Sequence, residues 1–169
     1  MRLSIFLLLT LLFLSGCSFG KEQAPDLHGY VLEEKDSQII VVSKNANDYS
    51  AQGGVKQFYD AILLDRVPEH VEVGQEVKVW YKGEIEESYP ACGSIKHIEV
   101  VENEQPSEAS LHPQEVVQQA LEKINIEYMV AITDVLYNEE TESWTVTYRP
   151  ISLFNDDKER LQTIHIPDP

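Results

Sequence analysis

Histidine and glutamate two residues apart share one face of an extended chain, and the sequence holds two such pairs, His70-x-Glu72 and His97-x-Glu99. Imidazole nitrogens and carboxylate oxygens are zinc ligands, so these side chains, with His97 and Glu99 foremost, are candidate metal ligands if the fold brings them into one cleft. The competing reading is polar residues on the wet face of a strand. The sequence lacks the company such chemistry keeps. It has no H-E-x-x-H, no paired C-x-x-C, no G-x-S-x-G elbow and no glycine-rich phosphate loop. A deaminase-like use of H-x-E needs P-C-x-x-C, which Pro90-Ala91-Cys92-Gly93-Ser94 does not supply. Asn45–Ser50 is rich in side-chain oxygen, yet a calcium loop needs glycine where Ser50 stands and glutamate where Lys56 stands. These grounds assign no catalytic residue, no metal and no cofactor.

A second candidate is a contact surface. In Ser88-Tyr89-Pro90 the proline fixes its own φ and biases Tyr89 toward an extended backbone, which aims the phenol in one direction. With Tyr30 and Trp80 it would make an aromatic binding surface. The alternative is architectural: Tyr89 plugs the end of a small barrel and Pro90 shapes the corner.

The elements that must position these residues begin after a leader. Residues 1–16 run from Arg2 through the largely apolar Leu3–Leu14 to the small pair Ser15-Gly16, ahead of Cys17. That apolar run is too short to cross a bilayer and reads as a secretory signal peptide. Leu14-Ser15-Gly16-Cys17 resembles the lipobox of bacterial lipoproteins. The resemblance implies cleavage between Gly16 and Cys17 and lipid on the Cys17 thiol, with palmitate among the acyl chains. It also implies an exported protein at the outer face of the cytoplasmic membrane, with the lipid bilayer as its first partner.

The chain is acidic, 13 basic against 29 acidic residues for a net charge of −16, and the leader would remove only Arg2. Such a surface repels phosphodiesters and anionic lipid heads, which argues against nucleic acid and leaves the acyl anchor to hold the membrane. Basic proteins, polyamines and divalent cations suit it electrostatically; plain solubility is the other reason for such charge. The chain has two cysteines. With Cys17 acylated, Cys92 has no partner within the chain, so packing alone must hold the fold and a buried Cys92 is expected.

Five short apolar runs follow: Leu27–Leu32, Gln38–Ser43, Gln57–Leu64, Glu76–Tyr81 and Ile95–Val101. In the fourth, Val77, Val79 and Tyr81 share one face, and Glu76, Lys78 and Trp80 the other. Turn signals separate the runs, which predicts a small OB-like five-stranded β-barrel over residues 27–102, with a five-stranded sandwich as the alternative. In that barrel Ser88-Tyr89-Pro90 joins the last two strands, where a loop often lines the binding face. Gly29-Tyr30-Val31, Val73–Val79, Gly83-Glu84-Ile85 and Glu87-Ser88-Tyr89-Pro90-Ala91 resemble the family catalogued as domain of unknown function 3221, small lipoproteins of Bacillus-like Gram-positive bacteria. The resemblance covers Leu27 to Val101 and implies an OB-like barrel outside the membrane, with no assigned activity. Cys92 departs from it, standing where a polar residue such as Gln is expected.

Residues 17–26 read as a tether and residues 103–112 as a linker. Pro113 opens a helix whose Val116, Val117, Ala120, Leu121 and Ile124 make one stripe. Tyr128, Val130 and Ile132, then Trp144, Val146 and Tyr148, alternate as two strands about a turn at Asn138–Thr141. Another turn is expected at Asn155–Asp157, with a third strand over Leu161–Ile166. Residues 113–169 thus form a small α+β unit, similar to helix-plus-hairpin domains such as PepSY-like ones and marginal alone. The fold class is mainly β with an α+β unit. The expected function is a non-catalytic, membrane-anchored module that binds a membrane or cell-wall protein. The alternative is a metal-dependent or hydrolytic cell-envelope enzyme, which requires His70, Glu72, His97 and Glu99 to converge.

Overall fold

Strands whose every second side chain is apolar must find a shared interior. In the computed structural model, which describes residues 23–124, 129–151 and 160–169, five of them close on themselves. They are β1 (Leu27–Lys35), β2 (Gln38–Ser43), β3 (Ala61–Asp65), β4 (Glu76–Tyr81) and β5 (Ala91–Val100), in the closed order β1-β2-β3-β5-β4. β3 and β5 are parallel and the other neighbours antiparallel, which is OB-like. Val31, Ile39, Val41, Ile62, Leu64, Val77 and Val79 fill the interior, each worth about 1.5–3 kcal/mol over leaving it in water. The leader 1–16, Cys17, residues 18–22 of the tether, Tyr128 and the turn Asn155–Asp157 lie outside the described residues.

Three strand boundaries differ from the sequence reading. β1 continues to Lys35 and turns into β2 through Asp36 and Ser37, whose φ values are 51° and 64°, a two-residue hairpin turn. Its charged end, Glu33–Lys35, stands exposed, so no apolar alternation marks it. β3 starts only at Ala61, because Phe58 pairs singly with Asn47 and the Asp60 amide donates to Ser43 Oγ at 2.9 Å. β5 starts at Ala91, where Ala91–Ser94 pair with Ile62–Asp65; Gly93 and Ser94 read locally as loop. Gly29 marks the tightest approach in the barrel. Its backbone pairs with Ser43 on one side and Val77 on the other, and a Cβ there would overlap the Val42 carbonyl oxygen.

The helix α1 (Pro113–Lys123) begins with a capping box: His112 Nδ1 accepts from the Gln114 amide at 3.3 Å, and Glu115 Oε2 accepts from the His112 amide at 2.7 Å. Strands β6 (Met129–Asn138), β7 (Ser143–Ile151) and β8 (Gln162–Pro167) form an antiparallel sheet in that order. Asn138 Oδ1 ties the β6–β7 turn by accepting from the amides of Glu140 and Thr141 at 2.9 and 3.2 Å. The stripe Val116, Val117, Ala120 and Leu121 packs on Val130, Ile132, Trp144 and Ile166.

The barrel and this unit share apolar packing. Tyr30 and Leu32 of β1 and Val73 join the helix-on-sheet core. Gly74, at φ 87°, sits beneath α1, where a Cβ would lie 2.6 Å from the Gln114 carbonyl oxygen, and Gln118 Nε2 donates to Val73 O at 2.8 Å. Residues 103–112 are pinned as well. Gln105 Nε2 donates to Ala109 O at 2.7 Å, and the Asp168 carboxylate accepts from the Ser110 and Leu111 amides at 2.6 and 3.0 Å and from Trp144 Nε1 at 3.0 Å.

Candidate functional site

Strand register lines up side chains in rows on the outside of the barrel. Glu33, Ile40, Leu63 and Cys92 make one row across β1, β2, β3 and β5. Lys35 opposite Gln38, and Asp65 opposite Ser94, make the next. Val42 and Ala61, further along, are buried with Tyr59 against Ala131 and Ile151 of the C-terminal sheet. That sheet therefore covers one end of the β2–β3 face, the face OB folds use for ligands, and leaves the first two rows open. Two hollows of about 280 and 270 Å³ meet there at Gln38 and Leu63. Ile40 and Leu63 give the groove an apolar floor. Asp65 lines the second hollow, while its Oδ1, turned away from solvent, has no hydrogen-bond partner among the described residues.

The segment 82–90 walls one side of this groove. It returns to β5 through an isolated bridge between Glu86 and Cys92 and a cis Tyr89–Pro90 peptide. Ser88 Oγ donates to the Pro90 carbonyl at 2.8 Å and lies 3.9 Å from Cys92 Sγ. Tyr89 is half-buried. Its hydroxyl donates to Tyr59 O at 3.1 Å, and its ring meets Phe58 edge-on at 5.7 Å, which in turn meets Tyr49 at 5.6 Å. Burial first, and the Asp60 carboxylate second, push its phenol above the usual tyrosine range. The ring packs against the Val42–Tyr59–Ala61 cluster outside the barrel, whereas the tyrosine packed on the interior is Tyr81.

Tyr30 and Trp80 stand elsewhere. Tyr30 is 4 % exposed and its hydroxyl donates to Glu76 Oε2 at 3.1 Å. Glu76 also accepts from Lys44 Nζ at 2.6 Å and Asn103 Nδ2 at 3.3 Å. Burial alone would raise this carboxyl, but the Lys44 bond and charge, with help from Asn103 and Tyr30, outweigh it and hold Glu76 below the usual range. His28 Nε2 comes within 2.7 Å of Glu76 Oε1 without the alignment of a hydrogen bond. Trp80 donates its indole N–H to Gln23 O at 2.8 Å and lies against the His97 ring at 4.9 Å, which pins the chain ahead of β1 onto β4.

His97 and Glu99 do face each other, Nε2 to Oε1 at 3.2 Å, with both side chains about half exposed. His70 and Glu72 fall on the turn before β4, and Glu72 accepts from Gln114 Nε2 at 3.0 Å. Among the described residues no three His, Cys, Asp or Glu side chains gather closely enough to hold a metal, so the four-residue convergence does not occur. Asp48 Oδ1 instead accepts from the Ser50 amide and hydroxyl. Cys92, expected to be buried, lines the groove at an intermediate depth. Sequence reasoning missed Ile40, Leu63 and Asp65 as site residues; their signal was side-chain parity along β2 and β3, legible only once the register is known.

No helix among the described residues is long and apolar enough to cross a membrane. No curated protein and no solved structure matches this chain. Residues 28–102, the barrel from its first strand through its last, match the family model described as "Protein of unknown function (DUF3221)", and it is this family that the barrel part of the chain resembles.

Proposed function

We propose that this protein is a non-catalytic binding module, anchored at the outer face of the cytoplasmic membrane by an acylated Cys17, that engages a membrane or cell-wall protein through the open part of its β2–β3 face. The observation that carries the reading is the groove itself: an apolar floor of Ile40 and Leu63 between the 82–90 segment and the β1–β2 turn, on a face otherwise covered by the C-terminal sheet. The anchor rests on Leu14-Ser15-Gly16-Cys17, and the acidic surface disfavours nucleic acid. A photo-crosslinking residue in place of Gln38 is expected to capture a cell-envelope protein on intact cells, and one in place of exposed Lys96 is not. Equal capture from both positions would overturn the assignment of the face. Labelled palmitate is expected to enter the wild type and not Cys17→Ala; labelling of the mutant would overturn the anchor.

A further inference from the structure

The net charge of the chain is a sum over a surface on which the signs are unevenly spread. On the outside of the barrel, Lys78 of β4 stands opposite Glu99 of β5, and Trp80 opposite His97. The register then slips by one, with Tyr81 opposite Ile95, so Lys96 and His97 share the place across from Trp80 and both stand exposed. Ile95 and Ile98 on either side point into the barrel. Beyond the buried Glu76, the outside of β4 and of Ile95–Val100 therefore presents Lys78, Lys96 and His97 against the single carboxylate of Glu99. The whole chain has 13 basic against 29 acidic residues. Glu99 is met by His97 at 3.2 Å, whereas Lys78 and Lys96 make no ion pair among the described residues. Asp26, the other acid at this edge, accepts from the Tyr81 amide at 2.7 Å. The same face receives the tether: Trp80 Nε1 holds Gln23 O, and a hollow of about 280 Å³ opens between Gln23, Trp80, Lys96, His97 and Glu99. Residues 18–22 are all that separate this fastening from Cys17.

Resting on the acylated Cys17 proposed above, we infer that the outer face of β4 and β5 lies on an anionic lipid surface. Trp80 sits at headgroup level, where part-exposed indoles are enriched, and Lys78 and Lys96 meet the lipid phosphates. The acidic charge of the whole does not forbid this contact. Physiological salt screens carboxylates on the far side beyond about 8 Å, while each lysine close to an anionic bilayer multiplies the docked population about fivefold. Two lysines alone hold no protein on a membrane. Here the anchor already confines the barrel beside the lipid, so docking is in effect intramolecular and a small attraction decides which face meets the bilayer.

The test uses the acylated protein purified from cell membranes and reconstituted in vesicles that carry a nitroxide-headgroup lipid as quencher. The vesicles are phosphatidylcholine alone, or phosphatidylcholine with about 30 % phosphatidylglycerol. The chain has two tryptophans, and Trp144 is only 2 % exposed in the core, so quenching of tryptophan emission reports on Trp80. Quenching is expected in the anionic vesicles, about threefold weaker in the neutral ones, and lost at about 0.5 M salt. Lys78→Gln with Lys96→Gln should lower it to the neutral-vesicle level. Lys56→Gln with Lys123→Gln, an equal charge change at exposed sites elsewhere, should leave it unchanged. The inference is overturned if both vesicles quench alike or if the two double variants behave alike. It is also overturned if a soluble glycerol phosphate polymer at the lipid's phosphate concentration abolishes quenching, which would make a wall polyanion the occupant. Failure with palmitate present on Cys17 removes the docked face and keeps the anchor; absence of palmitate removes both.

Discussion

Replacing Glu76 by glutamine isolates the charge at the junction between barrel and helix. The carboxylate is 5 % exposed and accepts from Tyr30, Lys44 and Asn103. Glutamine keeps the shape and an acceptor oxygen, so Tyr30 or Asn103 can still donate. What is lost is the 2.6 Å bond to Lys44, whose side chain is 24 % exposed and can turn partly to water. A hydrogen bond to a charged group contributes about 1.5–3 kcal/mol, and the partial exposure puts this one near the lower end, at about 1.5 kcal/mol. For a chain of this size that is a fall in Tm of about 5 °C. Glu76→Ala also orphans Tyr30 and Asn103 and should cost about 3–4 kcal/mol.

Urea unfolding measures both, and pH supplies the control. The folded carboxyl titrates below its unfolded value, so its contribution is complete above the ordinary glutamate pKa of about 4.3 and is lost as pH falls through the lower folded value. The gap between wild type and Glu76→Gln should therefore be widest at neutral pH and close in acid. A glutamine variant within about 0.5 kcal/mol of wild type at pH 7, as for an ordinary surface change, would refute the account. So would a gap that does not vary with pH.

Three further outcomes are expected. Gly29→Ala should cost more than about 3 kcal/mol by thermal melting, because its Cβ meets backbone, the Val42 carbonyl, rather than a side chain that can turn away; a near-neutral change would mean β1 and β2 separate easily there. A fragment ending at Glu104 should keep a cooperative melt, since the barrel interior draws only on residues between Leu27 and Val100, the β3–β4 connection with Val71 included. It should also melt well below the whole chain and bind an apolar dye through uncovered Tyr30, Val42 and Ala61; dye binding equal to that of the whole chain would contradict the shared packing. Tyr89→Phe should cost about 1 kcal/mol for the bond to Tyr59 O, and Tyr89→Ala about 2–3 kcal/mol for the half-buried ring as well. A cost near zero for the alanine variant would show that Tyr89 is free to serve a ligand alone.

The barrel was legible because Val77, Val79 and Tyr81 alternate cleanly with Glu76, Lys78 and Trp80, and parity names the inside of a strand. The helix was legible from Pro113 and its stripe. Where the reading slipped, long-range partners decided. Ala91–Ser94 is a strand because β3 lies beside it, and nothing local in Gly93-Ser94 says so. The run Gln38–Ser43 is apolar on both faces, and Val42 is buried outside the barrel, but what covers it is Ala131, nearly ninety residues later. Grouping Tyr30, Trp80 and Tyr89 as one surface failed for a similar reason. Aromatic residues carry no mark of which neighbour they will find: for Tyr30 it was a carboxylate, for Trp80 a backbone carbonyl, for Tyr89 another ring.

The hold of Trp80 on Gln23 has a consequence for orientation. It fastens the incoming chain to β4, which neighbours β1 and β5 and lies across the barrel from the β2–β3 rows. With Cys17 acylated as proposed, the six steps from Cys17 to Gln23 span at most about 21 Å. The barrel would then ride within one small-domain diameter of the bilayer and turn its groove away from the lipid. A ligand would be met from the wall side, and a partner embedded in the same membrane would have to present a segment standing above it.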